Sequence, residues 1–319
     1  MSAQKETRVL PYGPEAIEAA AALVRAGEPV AVPTETVYGL AADATDEAAV
    51  ERIYAAKGRP GFNPLIVHVP GLAEAARIGA FDDAARRVAE AFWPGPVTLV
   101  VPLKAGSGIA PRVTAGLATI ALRAPAHPAM RDLLAATGRP LAAPSANRSG
   151  AISPTSAAHV AASLGGRIAL VVDGGATERG LESTIVRIDE AGVRLLRPGP
   201  VGLDAILAAA GTGAAAAMPP QRIEAPGMMA SHYAPSKPVR LNATAAEADE
   251  WWIGFGAHAG DESLSESGDL AEAAANLFAA LHRAEASPKP RIAVAPVPGE
   301  DIGRAINDRL RRAAAPRSG

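Results

Sequence analysis

Short apolar runs alternate with amphipathic stretches along most of the chain, which predicts strands and helices in turn. The apolar run at residues 30–32 stops at Pro33, so Thr34, Glu35 and Thr36 stand at a strand's end. A helix follows, with Asp46 as its N-cap and Val50, Ile53 and Tyr54 on one face. Gly58 suits a left-handed C-cap and Pro60 forbids continuation, so Lys57-Gly58-Arg59-Pro60 reads as a rigid, exposed basic turn. Residues 65–69 form the next strand, with His68 interrupting its apolar run.

The same pattern extends on both sides of this unit. Helices are predicted at 14–26, 72–78 and 82–92, and strands at 97–102 and 118–123, the last ending on the cation of Arg123. A helix from His127-Pro128 closes at Gly138, and 140–144 is a short strand. Ser153-Pro154 predicts a helix start, a cap followed by proline at the first position. A buried strand spans 168–173, and 181–188 with 193–196 form a strand pair, which lets the sheet be mixed. The expected class is α/β, a twisted, mixed, open sheet carrying helices. Composition changes at Gly211, and residues 212–238 read as a proline-rich linker. From Val239 a second α/β pattern begins: strand 251–255, helix 269–286, strand 291–295 and a closing helix 301–312. The expected division is a catalytic domain at 1–211, a linker or lid across the site at 212–238, and a small Rossmann-like domain at 239–319.

Composition narrows the chemistry. With 319 residues, 49% hydrophobic and 20% charged, the chain can bury a sizeable core. The 31 basic residues are balanced by 33 acidic ones, so any polyanion site must be local. Zero cysteines exclude disulfides, thiolate zinc sites and cysteine nucleophiles. No apolar run approaches the ~18 residues of a membrane span, and the first residues lack a signal-peptide core. A cytoplasmic enzyme without a membrane partner is expected.

There is no P-loop, no His-Glu-x-x-His and no Gly-x-Ser-x-Gly elbow, so a hydrolase pairing Ser145 or Ser183 with His68 has no supporting motif. Gly211-Thr212-Gly213 follows a helix and lacks the third glycine of a dinucleotide fingerprint. What remains is a set of polar loops at strand ends: Thr34 and Thr36, Lys57 with Arg59 and Asn63, Arg123, Ser145 with Asn147, Ser183 with Thr184, and Arg197. Parallel neighbouring strands would bring these ends to one crevice, rich in cations and hydroxyls and poor in bases. That inventory suits an anionic nucleotide beside a second small polar substrate, with catalysis by positioning and charge neutralisation.

Pro33-Thr34-Glu35-Thr36-Val37-Tyr38-Gly39-Leu40, Lys57-Gly58-Arg59-Pro60 with Asn63-Pro64-Leu65, and Pro144-Ser145-Ala146-Asn147 with Ser149-Gly150 resemble the YrdC-type threonylcarbamoyl-AMP synthases. So do Ser153-Pro154-Thr155, Asp173-Gly174-Gly175, Glu182-Ser183-Thr184-Ile185-Val186 and Leu196-Arg197-Pro198-Gly199. His232-Tyr233-Ala234-Pro235 before a small α/β domain resembles the long, two-domain form. The resemblance implies a nucleotidyltransferase that converts L-threonine, bicarbonate and ATP into threonylcarbamoyl-AMP and pyrophosphate, with Mg²⁺ accompanying ATP. It implies that Lys57, Arg59, Ser145 and Asn147 form the catalytic, nucleotide-binding tetrad. Asn63, Thr119, Ser153, Arg197 and Tyr233 match further ATP contacts. Thr36, His68, Arg123, Ala143 (through its backbone) and Ser183 match threonine contacts. It also implies a downstream tRNA threonylcarbamoyltransferase as partner, with tRNA met only indirectly. Two rivals are a double-stranded RNA-binding protein, which the balanced charge disfavours, and a carbamoyltransferase, for whose extra domains and cysteine zinc motifs this chain has no room.

Overall fold

Two sheets organise the chain, seen in a computed structural model that describes residues 6–212, 224–227 and 232–316. The first part runs β1 (Arg8–Pro11), α1 (Pro14–Arg25), β2 (Val30–Pro33), β3 (Tyr38–Asp43), α2 (Glu47–Lys57), β4 (Ile66–His68), α3 (Leu72–Ile78), α4 (Asp83–Phe92) and β5 (Val97–Pro102). It continues through α5 (Pro111–Thr114), β6 (Thr119–Arg123), α6 (Pro128–Thr137), β7 (Leu141–Ala142), α7 (Ala157–Leu164), β8 (Leu170–Asp173), β9 (Thr184–Asp189), β10 (Gly192–Arg197) and α8 (Leu203–Ala210). The remainder holds β11 (Val239–Arg240), β12 (Glu250–Gly254), β13 (Glu262–Ser263), α9 (Leu270–Ala286), β14 (Arg291–Val294) and α10 (Gly303–Ala314).

The larger sheet has ten strands in the order β1-β8-β2-β3-β7-β4-β6-β5-β9-β10, and the smaller has four in the order β11-β14-β12-β13. The larger sheet is mixed: β3 and β7 run against their neighbours, while β4 and β6 are parallel. The smaller sheet is parallel throughout. Among the described residues, no helix is long and apolar enough to cross a membrane.

Local signals set the element ends where they are strong. The Asp46 carboxylate accepts from the Ala48 amide at 2.8 Å, satisfying an orphan donor of α2. Gly58 closes that helix at φ 60°, a conformation that costs a side-chain-bearing residue more than glycine. Ser153-Pro154 does not open a helix. The Ser153 hydroxyl is given to Glu182, and Ser156 caps α7 instead, accepting from the His159 amide. Strand β3 was not expected, because Gly39, Ala41 and Ala42 dilute its apolar alternation. Residues 140–144 pair as strand only at Leu141–Ala142.

Strand periodicity divides the larger sheet into two faces. One face carries Leu40, Ala42, Val67, Leu99, Leu122 and Val186 into the main core, against residues of α2, α4 and α7. On the other face, Val30, Val32, Ala41 and Leu141 lie under α1 and α6. Farther along that second face, Ile66, Val100, Ala121, Ile185 and Leu196 form a small cluster with Ala225 of the linker. No helix of the first domain contributes to that cluster, and the cavity opens beside it.

The smaller sheet buries its own core around Leu277, Phe278 and Leu281 of α9, and that core is continuous with Val37, Ile152, Leu181 and Tyr233. Contact between the two parts is close. A Cβ on Gly180, at φ 64°, would lie 2.2 Å from the Ala275 carbonyl oxygen of α9. His159 of α7 and His282 of α9 stack with ring centroids 3.8 Å apart.

Candidate active site

The cavity offers about 510 Å³ of empty space, counting what is open to solvent at its mouth, and lies over the second face of the larger sheet, not along a row of parallel strand ends. Its floor is read off the pleat: Gly39 of β3, Ile66 and His68 of β4, and Arg123 of β6 all point to the face opposite the main core. Mixed strand directions mean that no single rim gathers all the strand ends. The polar residues meet because they share a face and its flanking loops.

Of the residues singled out from sequence, Thr36, Arg59, His68, Arg123, Ala143, Ser145, Ser183, Arg197 and Tyr233 wall this cavity. Lys57 and Asn147 sit directly behind Ser145 and are nearly completely buried. Ser153 is buried behind the cavity wall, tied through its hydroxyl to the wall residue Glu182. Asn63 is also buried, and Thr119 opens β6 half-buried; neither is part of the cavity wall. Glu182, His232, Pro226 and Gly39 line the cavity without having been assigned a role from sequence. Glu182 and His232 flank Ser183 and Tyr233, so adjacency was the available signal. Linker residues 213–223 and 228–231, including Met228, lie outside the described residues.

The basic turn is not exposed. Lys57 is 3% and Arg59 8% solvent-accessible. The Lys57 ammonium donates to the carbonyls of Ser145 at 2.6 Å and Asn147 at 2.5 Å, while its own carbonyl accepts from the Ser149 amide at 2.8 Å. Lys57 therefore fixes the Ser145–Ser149 loop against the end of α2. Arg59 donates to the carbonyls of Asn63 at 3.1 Å and Pro64 at 2.8 Å, which folds the turn back on itself. The Asn147 amide nitrogen caps Arg148 and Ala151 carbonyls, each at 2.8 Å.

Crowded, dry cations lose protons more easily than free ones. Burial, with Arg59 adding to it, holds the Lys57 ammonium well below its usual range. Burial brings Arg59 down to about 10, with Arg197 pushing the same way. Arg197 is lowered chiefly by burial. An anion arriving among these groups would gain charge-assisted bonds while relieving their mutual repulsion.

The second polar group is centred on Arg123. Its guanidinium pairs with Glu35 at 2.7 Å and donates to the Gly95 carbonyl at 3.1 Å and the Thr36 hydroxyl at 2.9 Å. These contacts use three of the five N–H donors and leave two for a carboxylate. Burial alone would raise Glu35, but the Arg123 charge and hydrogen bond outweigh it and hold the carboxyl below its usual range. Thr34 and Thr36 hydroxyls meet at 2.8 Å, and the Thr34 hydroxyl also donates to the Val37 carbonyl at 2.7 Å. Burial, reinforced by Arg123, pushes His68 down to about 3, so its ring is neutral. Its Nδ1 has no hydrogen-bond partner among the described residues.

Arg197 joins these groups to the linker. It donates to the Ser183 carbonyl at 3.1 and 2.9 Å, to the Ser183 hydroxyl at 3.1 Å, and to the Pro226 carbonyl at 3.3 Å. Ser183 in turn meets the Thr98 hydroxyl at 2.7 Å. Tyr233 is buried against Phe278, ring centroids 5.5 Å apart, and walls the cavity on the side of the smaller sheet.

The comparisons with known proteins agree with this geometry. A model of the Sua5/YciO/YrdC family, described as telomere recombination, matches residues 22–199. A second, described as the C-terminal domain of threonylcarbamoyl-AMP synthase, matches residues 201–315. A threonylcarbamoyl-AMP synthase of Pyrococcus abyssi is 40% identical over 321 residues, covering 93% of this chain and 94% of the relative. One from Bacillus subtilis is 39% identical, covering 94% and 93%. The crystal structure of P. abyssi Sua5 complexed with L-threonine superposes with a TM-score of 0.87 at 37% identity, over 97% of each chain. With matches that run through both sheets, the chain belongs to the two-domain threonylcarbamoyl-AMP synthases of the Sua5/YciO/YrdC family.

Proposed function

We propose that the chain joins L-threonine, bicarbonate and ATP into threonylcarbamoyl-AMP and pyrophosphate at this cavity. The observation that carries the reading is one cavity walled both by Arg59 and Arg197 and by Arg123, Thr36, His68 and Ser183, side chains that are themselves nearly completely buried. The first pair suits the phosphates of a nucleotide, and the second set suits a hydroxy-amino acid. The remaining donors of Arg123 take the threonine carboxylate, and the neutral His68 ring with Thr36 and Ser183 offers partners to its hydroxyl. The Ala143 backbone lies in the same wall.

The threonine amine adds to bicarbonate and loses water, giving a carbamate. A carbamate oxygen then attacks the α-phosphorus of ATP in line, and pyrophosphate leaves. The protein supplies no covalent partner in this scheme. Arg59, with Lys57 and Arg197 behind and beside it, meets the negative charge that builds on the departing pyrophosphate. Ser145 and Asn147 are held in place by Lys57 for the nucleotide. The single carboxylate in the described wall, Glu182, is already held by Arg309 and Ser153. Magnesium is accordingly part of the substrate, travelling on the ATP phosphates. The product, a mixed anhydride of a carbamate and AMP, suits a second enzyme that transfers its acyl group to tRNA; tRNA itself meets that enzyme first.

Pyrophosphate release measured with each substrate omitted in turn tests the reading. Release that needs threonine, bicarbonate and ATP together supports it; release without threonine or bicarbonate refutes it.

A further inference from the structure

The one carboxylate in the described wall of a cavity built for a polyanion is Glu182, and its neutralising partner comes from the smaller domain. Arg309 of α10 is 0% solvent-accessible, and its Nε donates to Glu182 at 2.8 Å. Its guanidinium also lies 5.2 Å from the centre of the Tyr233 ring and pairs with Asp308 at 2.8 Å. The other Glu182 oxygen accepts the Ser153 hydroxyl. The smaller domain touches this group twice more: His282 bonds the Ser153 carbonyl at 3.1 Å, and the Arg312 carbonyl accepts from the His232 amide at 3.3 Å.

We infer that Arg309 is a positioning residue of the nucleotide site, by which the smaller domain cancels the charge of Glu182 and fixes Ser153 and Tyr233 for ATP. The inference rests on the reading that this cavity binds ATP. An unpaired carboxylate at this wall would repel the phosphates across a medium that screens poorly. It would also let the Ser153 hydroxyl and the Tyr233 ring lose their shared support. On this account the ATP site is incomplete without α10, although the sheet that floors it is complete.

The test is a double-mutant cycle read as separate KM and kcat values in the full chain. Arg309→Met should raise KM for ATP by about tenfold or more, with KM for threonine changed by less than about threefold. Glu182→Gln removes the charge that Arg309 answers. In that background, Arg309→Met should raise KM for ATP by clearly less than in wild type, the remainder being its lost support of Tyr233. Arg309→Lys keeps the charge but not the planar fork over Tyr233, so its KM for ATP should fall between those of wild type and Arg309→Met, which covers the case in which Arg309→Met does not fold. An equal effect of Arg309→Met in both backgrounds overturns the inference, because Arg309 would then act without Glu182. So does an unchanged KM for ATP in Arg309→Met, or an Arg309→Lys variant as impaired as Arg309→Met. A wild-type protein that releases no pyrophosphate from ATP, threonine and bicarbonate together would instead overturn the proposed reaction.

Discussion

Lys57→Met distinguishes a buried brace from an exposed ligand contact. In the fold the Lys57 ammonium holds the Ser145 and Asn147 carbonyls at 2.6 and 2.5 Å, at a residue only 3% accessible. Methionine fills similar space but donates nothing, so the buried Asn147 carbonyl loses the ammonium and the half-buried Ser145 carbonyl keeps only the Asn147 amide, at about 1–3 kcal/mol for each bond lost. Removing a buried, desolvated ammonium returns part of that cost, so a net loss of roughly 2–4 kcal/mol is expected. For a domain of this size that is a fall in Tm of roughly 5–15 °C. The Ser145–Ser149 loop would loosen at the same time, so turnover should fall by about 10²-fold or more. Thermal unfolding of the variant beside wild type, with pyrophosphate release on the same samples, reads both numbers. Lost turnover with a Tm within about 1 °C of wild type would refute the reasoning and return Lys57 to a solvent-facing ligand role.

Three further outcomes are expected. Glu35→Gln strips the buried Arg123 guanidinium of its 2.7 Å partner and should cost about 3–5 kcal/mol in urea unfolding, with weaker threonine binding. Stability should fall as pH drops from about 6.5 towards 4. Burial, then the neighbouring His282 and Arg283 charges, lowers His159 from 6.5 to about 4, and burial lowers His282, so the unfolded chain binds protons there that the fold refuses. Tm measured at several pH values in that window should show a shallower slope in His159→Gln, and an unchanged slope would remove the stacked pair from the explanation. Finally, 2-aminobutyrate, which lacks the hydroxyl of threonine, should lose several-fold to 10⁴-fold or more in kcat/KM, since Thr36, His68 and Ser183 would be left without their partner.

The sequence made the site legible wherever chemistry and chain neighbours coincide. Asp46, Gly58 and Pro60 bound α2 through local backbone geometry, and the structure places that boundary where the caps put it. The α/β class and the antiparallel pair of β9 and β10 follow from periodicity and the intervening turn. Depth was not legible. A Lys-Gly-Arg turn looks solvated until the Ser145 loop and the linker are folded over it, and those contacts span about ninety residues of chain. Nor was the face of the sheet: β3 hides behind Gly39, Ala41 and Ala42, and without it the cavity seems to lie at strand ends. Ser153 looked like a helix cap because its true partner, Glu182, is 29 residues away. Arg309 left no trace in the sequence, since an arginine on an amphipathic helix ordinarily faces water.

The most direct test of the central claim follows one carbon atom. ¹³C-bicarbonate is supplied with L-threonine and ATP, and the adenylated product is examined by mass spectrometry. A threonine–AMP adduct carrying one extra carbonyl, heavier by the label and formed in step with pyrophosphate, is the predicted result. A threonyl adenylate without the labelled carbon, or pyrophosphate released with no adduct, would contradict it.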